Sequence, residues 1–87
     1  MVINSYSFYL GAGNLISTYS RLAQDGSFTF KGEGNNLIVT SPLDFELNTK
    51  FAKDLAWNLQ NNFEIEVSAS TNDDGFTLTC PTINFVV

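Results

Sequence analysis

This 87-residue chain contains no histidine and a single cysteine, Cys80. Without histidine the chain cannot build a Ser-His-Asp triad, a Cys-His pair or an imidazole metal site. A lone cysteine excludes an intrachain disulfide, and Cys80 alternates with Phe76 and Leu78, which predicts a buried structural thiol. We therefore predict no catalytic residue, no cofactor, no metal site and no enzymatic activity.

Positive charge is also scarce. Four Lys and Arg residues stand against nine Asp and Glu residues, giving a net charge of −5 at pH 7. Nucleic acids and anionic membranes are bound by dense basic surfaces, and these four cations form no run in the sequence. The chain also lacks a basic leader and an apolar run of membrane length. These features disfavour nucleic-acid and membrane binding, and they predict a cytoplasmic protein.

Apolar residues, by contrast, are plentiful. Hydrophobic residues make up 44% of the chain and aromatic residues 14%, which is enough for a packed interior. A chain of this length has room for one hydrophobic core. We therefore expect a single globular domain over residues 1–87.

One stretch, from Asn48 to Asn62, has the spacing of an amphipathic helix. Its apolar residues fall on one face when the chain is wound at about 100° per residue. These residues are Phe51, Ala52, Leu55, Ala56 and Leu59. The start of the helix has two interpretations, because Ser41 with Pro42 and Asp44 forms one start signature and Asn48 can cap a later start.

Alternating apolar and polar residues predict strands elsewhere. The predicted strands cover residues 5–10, 27–31, 37–40, 63–70, 76–80 and 83–87. Residues 15–24 fit either a helix or a strand, and we favour a strand because Asp25-Gly26 is a strong hairpin signal. Together these elements predict an α+β fold, with an antiparallel sheet of about five to seven strands and one principal helix on one face.

Two acids of the predicted strand 63–70 form a candidate catalytic pair. Glu64 and Glu66 would share one strand face at a separation of about 7 Å, which inverting glycosidases also use. No cleft signal accompanies them in the sequence. We interpret them as part of a solvated sheet face.

Trp57 lies on the polar side of the predicted helix, away from the apolar face. It falls among Lys50, Lys53, Asp54 and Asn61. Either a second layer of protein covers this indole or a partner contacts it, and Trp is the residue most enriched in interface hot spots. We take Trp57, Lys50, Lys53 and Asn61 as the candidate partner-binding site.

The function hypothesis that follows is a non-enzymatic protein-binding module. It would occlude a larger protein, as small inhibitors encoded by phages or mobile elements do, and would itself be a monomer or a homodimer. One alternative is a self-assembling structural subunit that uses the apolar C-terminal strand, residues 83–87, as a free edge. Another is a binder of a small ligand, or of single-stranded nucleic acid through an aromatic on the outer face of the sheet such as Tyr9.

Overall fold

A computed structural model of the chain describes residues 1–23 and 27–87. Within these residues a four-stranded antiparallel sheet, a parallel pair of strands and three helices form one α+β fold. In chain order the elements are β1 (Val2–Asn4), α1 (Ser5–Gly11), α2 (Gly13–Leu22), β2 (Thr29–Glu33), β3 (Asn36–Thr40), α3 (Phe45–Phe63), β4 (Ser68–Asn72), β5 (Gly75–Thr79) and β6 (Asn84–Val86). The predicted fold class is confirmed, with one principal helix, α3, packed on the sheet.

The core lies between α3 and one face of the four-stranded sheet, whose strand order is β2-β3-β5-β4. Phe51 and Leu55 of α3 are fully buried, as are Leu37 of β3 and Phe76 of β5. The Phe51 ring meets the Phe76 ring edge-on, with 5.1 Å between centroids. The apolar face read from the helical spacing is therefore the face that folds the domain.

The first turn of α3 differs from both predicted starts. The helix begins after Asp44, whose Oδ1 accepts a hydrogen bond of 2.8 Å from the Leu47 backbone N–H. Ser41 instead accepts from the Leu43 N–H ahead of the helix. Asn48 is buried inside α3, and its Nδ2 donates to the Leu43 carbonyl at 3.1 Å. Neither Ser41 nor Asn48 caps α3, because the helix starts directly after Asp44 and Asn48 lies inside its first turn.

The N-terminal region corrects the strand predictions. Residues 5–10 form α1, capped by Asn4, whose Oδ1 accepts from the Tyr6 N–H at 2.8 Å. Most of residues 15–24 belongs to α2, which turns Ile16 and Tyr19 into the core. Tyr19 stacks on Phe51 with 4.3 Å between ring centroids, a long-range contact that overrides local strand propensity. The predicted hairpin turn Asp25-Gly26 lies outside the residues that the structure describes.

The C-terminal half follows the prediction more closely. The hairpin of β4 and β5 is antiparallel, as expected from its alternation. Its first strand is shorter than predicted, because α3 continues to Phe63 and ends on Glu64 in the left-handed conformation (φ 53°). Glu64 and Glu66 therefore do not share a strand face, and their interpretation as a solvated strand pair was wrong.

The two edges of the four-stranded sheet have different neighbours. Beside β2 runs β6, so that a Cβ on Gly32 would lie 2.6 Å from the Val86 backbone nitrogen. On its other side β6 pairs in parallel with β1. The prediction that residues 83–87 form a free edge was thus wrong, since Phe85 also donates its N–H to the Gly34 carbonyl at 2.6 Å. The edge without a partner strand in residues 1–23 and 27–87 is β4.

Candidate functional site

The predicted site residues lie together on the outer side of α3. We call the set Lys50, Lys53, Trp57 and Asn61 the Trp57 surface; all four side chains are exposed. Helix geometry places Lys53 and Asn61 one turn before and after Trp57, and Lys50 two turns, or about 10 Å, before it. The structure therefore assembles all four predicted residues into one stripe.

Trp57 itself is uncovered. Its side chain is 63% exposed, and no second layer from the described parts of the chain lies over it. The Asn61 Nδ2 donates to the Trp57 backbone carbonyl at 2.8 Å, which leaves the indole itself free to meet a partner. Of the two interpretations of this residue, cover by a second layer or exposure, the structure supports exposure.

The charges of the Trp57 surface are unpaired. Lys31 and Glu33 form the one ion pair found within residues 1–23 and 27–87, at 3.8 Å, so neither Lys50 nor Lys53 has an acidic partner there. Two of the chain's four cations thus precede the exposed indole on the outer side of α3, which also carries Glu46 and Asp54. The two free ammonium groups can pair with carboxylates of a partner.

The neighbouring acid, Asp54, is already engaged. Its Oδ2 accepts a hydrogen bond of 2.6 Å from the Tyr19 hydroxyl, which joins α2 to α3. Burial, followed by this hydrogen bond and the charge of Asp54, raises the pKa of Tyr19 to about 12. At neutral pH the phenol keeps its proton and Asp54 is the acceptor, so this contact fixes α2 along one side of the Trp57 surface.

Sequence reasoning missed a groove on the other side of α3. An open groove of about 260 Å³ separates the C-terminal half of α3 from the N-terminal elements. Its lining is mostly apolar, and the three polar side chains are Ser7, Asn58 and Asn62. The other lining residues are Ile3, Phe8, Gly11, Ala12, Leu55 and Phe63. With residues 5–10 assigned to a strand, nothing in the sequence brought these positions together.

Cys80 is confirmed as a buried thiol. It is fully buried, and burial raises its pKa to about 11, so it remains a protonated thiol at neutral pH.

The turn between β4 and β5 is closed by a local hydrogen bond, in which the Asp74 N–H donates to Asn72 Oδ1 at 2.8 Å and forms an Asx turn. Residues 1–23 and 27–87 bring together no group of three His, Cys, Asp or Glu side chains that could hold a metal ion.

Within the same residues, no helix combines the length and the apolar character needed to cross a membrane. Comparison of the chain with protein-family models, with curated proteins and with solved structures finds no match. The function must therefore be inferred from the chain's own surfaces.

Proposed function

We propose that this chain is a non-enzymatic protein-binding module that docks onto a larger protein through the Trp57 surface. The observation that carries the proposal is the indole, 63% exposed at the middle of an exposed helical stripe. Fully burying a large apolar side chain contributes about 1.5–3 kcal/mol, and here that contribution is left unused by the fold. A partner that buries the indole would gain it.

The arrangement suits a helix-in-groove mode of recognition. Lys50, Lys53, Trp57 and Asn61 follow one another at three- and four-residue steps, as anchors of a docking helix do. In this mode Trp57 fills an apolar pocket, while the two ammonium groups meet carboxylates on the pocket's rim. Rim charges mainly accelerate association, so the indole carries most of the affinity.

Occlusion of the partner is the action that we attribute to this docking. The partner is larger than this small chain, and α3 covers a functional groove on it. In this proposal the chain is an inhibitor, of the kind that phages and mobile elements encode, acting in the cytoplasm. Small size and the lack of histidine support this setting.

The decisive comparison is Trp57→Ala against Phe45→Ala. Phe45 lies on the same helix and is 59% exposed, so it matches Trp57 in exposure but stands outside the Trp57 surface. We expect tagged wild type and Phe45→Ala to capture the same protein from host lysate, and Trp57→Ala to lose it. Lys50→Glu combined with Lys53→Glu should slow association with the captured protein. If Trp57→Ala stays folded and captures that protein as well as wild type, the proposal is wrong.

A second candidate function, a small-ligand carrier, is supported by the groove between α1 and α3. Its volume of about 260 Å³ is close to the smallest size usual for ligand sites, and its apolar lining suits a compact apolar molecule. Ala12→Trp would fill it. If the groove binds a ligand, this variant should abolish the fluorescence enhancement of an apolar dye that wild type produces, whereas Trp57→Ala should not.

A further inference from the structure

The outer edge of β4 is a second surface with unused hydrogen-bonding capacity. Its five residues pair with β5 in an uninterrupted register, and no strand adjoins its other side within residues 1–23 and 27–87. Proteins commonly protect such edges with a charge, a proline or a bulge on the strand itself. The segment Ser68–Asn72 has none of these.

This edge is accessible as well as unpaired. Ala69 lies opposite the buried Leu78, on the face of the sheet that α3 covers, and yet Ala69 is exposed. Helix α3 packs along the inner face of β4 and leaves its outer edge open: the Thr49 and Thr71 hydroxyls are hydrogen-bonded at 3.1 Å, and Gln60 Nε2 donates to the Val67 carbonyl at 3.4 Å just before the strand. An added strand would therefore pair with the outer backbone N–H and C=O groups of β4 and would lie next to α3.

Negative charge stands at both ends of the edge. Glu64 and Glu66 precede β4, Asp73 and Asp74 follow it, and all four are exposed. None of them forms an ion pair with the described parts of the chain. Four of the nine acids of the protein thus bracket a strand that is itself uncharged.

These acids argue against a second copy of the chain as the occupant. Antiparallel self-pairing about Ser70 would bring the acids that precede β4 in each copy toward the acidic turn that follows β4 in the other. Like charges directly opposite each other destabilise a strand pair, and symmetry would impose this repulsion twice. The net charge of −5 on each copy adds to it.

We propose that β4 accepts an extended segment of another protein as a fifth strand, and that this segment carries Lys or Arg at both ends. The five residues of β4 cover about 17 Å, and the acids begin within about two residues of each end, so the cations stand about seven residues apart. Backbone hydrogen bonds supply the pairing, as in other cases of strand addition, and the end charges select the sequence. The inference concerns a surface separate from Trp57 and does not depend on it.

Two synthetic peptides of about nine residues test the proposal. Both have a central alternation of Thr and Val; one has two Lys at each end, and its matched control has Glu in those places. Fluorescence anisotropy should show the Lys peptide binding at least about ten-fold more tightly, because it replaces like-charge pairs with opposite-charge pairs. Amide hydrogen exchange should slow in β4 when the Lys peptide is bound. Alternate amides of an extended peptide point to opposite sides, so two N-methylated Lys peptides are made, one for each alternate set of amides. Methylation of the set that faces β4 should abolish binding, and methylation of the other set should not.

Charge-reversed protein shows whether the acids select the peptide. In the variant that combines Glu64→Lys, Glu66→Lys, Asp73→Lys and Asp74→Lys, the preference should invert toward the Glu peptide. Equal binding of both peptides, binding without slower exchange in β4, or dimerisation through β4 in light scattering would each overturn the proposal. Trp57→Ala should bind the Lys peptide as wild type does, so that failure of the Trp57 surface and failure of the β4 edge are distinguishable.

Discussion

Phe51 and Trp57 are large aromatic residues of the same helix with opposite surroundings. Phe51 is fully buried and contacts three other rings: Tyr19, Phe28 and Phe76. Trp57 is 63% exposed and takes part in none of the ring pairs found within residues 1–23 and 27–87. The difference shows that α3 separates two tasks by face: the inner side holds the domain together and the outer side is free for a partner.

The largest effect is expected at the inner face. Phe51→Ala should cost about 3–5 kcal/mol of unfolding free energy, because it opens a cavity beneath three aromatic rings. A domain of this size has a stability of about 4–13 kcal/mol, so this loss removes a large share of it and would unfold a domain at the low end of that range. Urea denaturation followed by circular dichroism measures this. A loss below about 1 kcal/mol would mean that the inner face does not hold the fold.

The contact between α2 and α3 should weaken in alkali. The pKa of Tyr19 is about 12 in the folded chain and 10.0 at its ordinary value, so the folded state retains a proton that the unfolded state loses. Stability from this group is complete below pH 10 and is lost between about pH 10 and 12, by on the order of 2 kcal/mol. Burial raises the pKa of Cys80 from 9.0 to about 11, which adds a similar loss between those values.

Urea midpoints measured from pH 8 to 11.5 test this dependence. In Tyr19→Phe the fall in urea midpoint above pH 10 should be smaller than in wild type. In Cys80→Ala the fall that begins near pH 9 should be smaller, so the two variants separate the contributions of the two groups. An unchanged slope in Tyr19→Phe would show that the phenol does not tie α2 to α3.

A smaller effect is expected at the border between the two faces. The Thr49 hydroxyl bonds to the Phe45 carbonyl within α3 and to Thr71 Oγ1 of β4. Thr49→Val keeps the shape of the side chain and removes this link, which should cost about 1 kcal/mol. Thr18→Val is the control, because the Thr18 hydroxyl bonds to the Asn14 carbonyl of its own helix. Equal losses of unfolding free energy in the two variants would exclude a special contribution from the link to β4.

The smallest effect on stability belongs to the outer face. Trp57→Ala should change the unfolding free energy by no more than about 0.5 kcal/mol, as expected for an exposed position without contacts to the core. Trp57 is the one tryptophan of the chain, so the fluorescence of the wild type reports on this site alone. Its emission should already be that of a water-exposed indole and change little on unfolding. A loss of several kcal/mol in Trp57→Ala would abolish the distinction between the two faces.

The sequence alone determined the inner face of α3 and the burial of Cys80. Both follow from local periodicity, because apolar residues at helical or strand spacing have one physical solution when a core is available. It also placed Trp57 with Lys50 and Lys53, since residues on one helix keep their relative positions whatever surrounds the helix. The sequence did not show whether the indole was covered.

Tertiary structure decided the rest. Residues 5–10 alternate as a strand would and residues 15–24 fit a strand or a helix. Both segments are largely helical because that conformation brings Tyr19 onto Phe51, and Phe8 and Tyr9 onto Phe30. Among the described residues, the order of strands leaves β4 at an open edge and encloses the C-terminal strand. This order depends on pairing between residues as distant as Val2 and Asn84. Local propensity has no information about such pairs, because their energy exists only once the chain has folded.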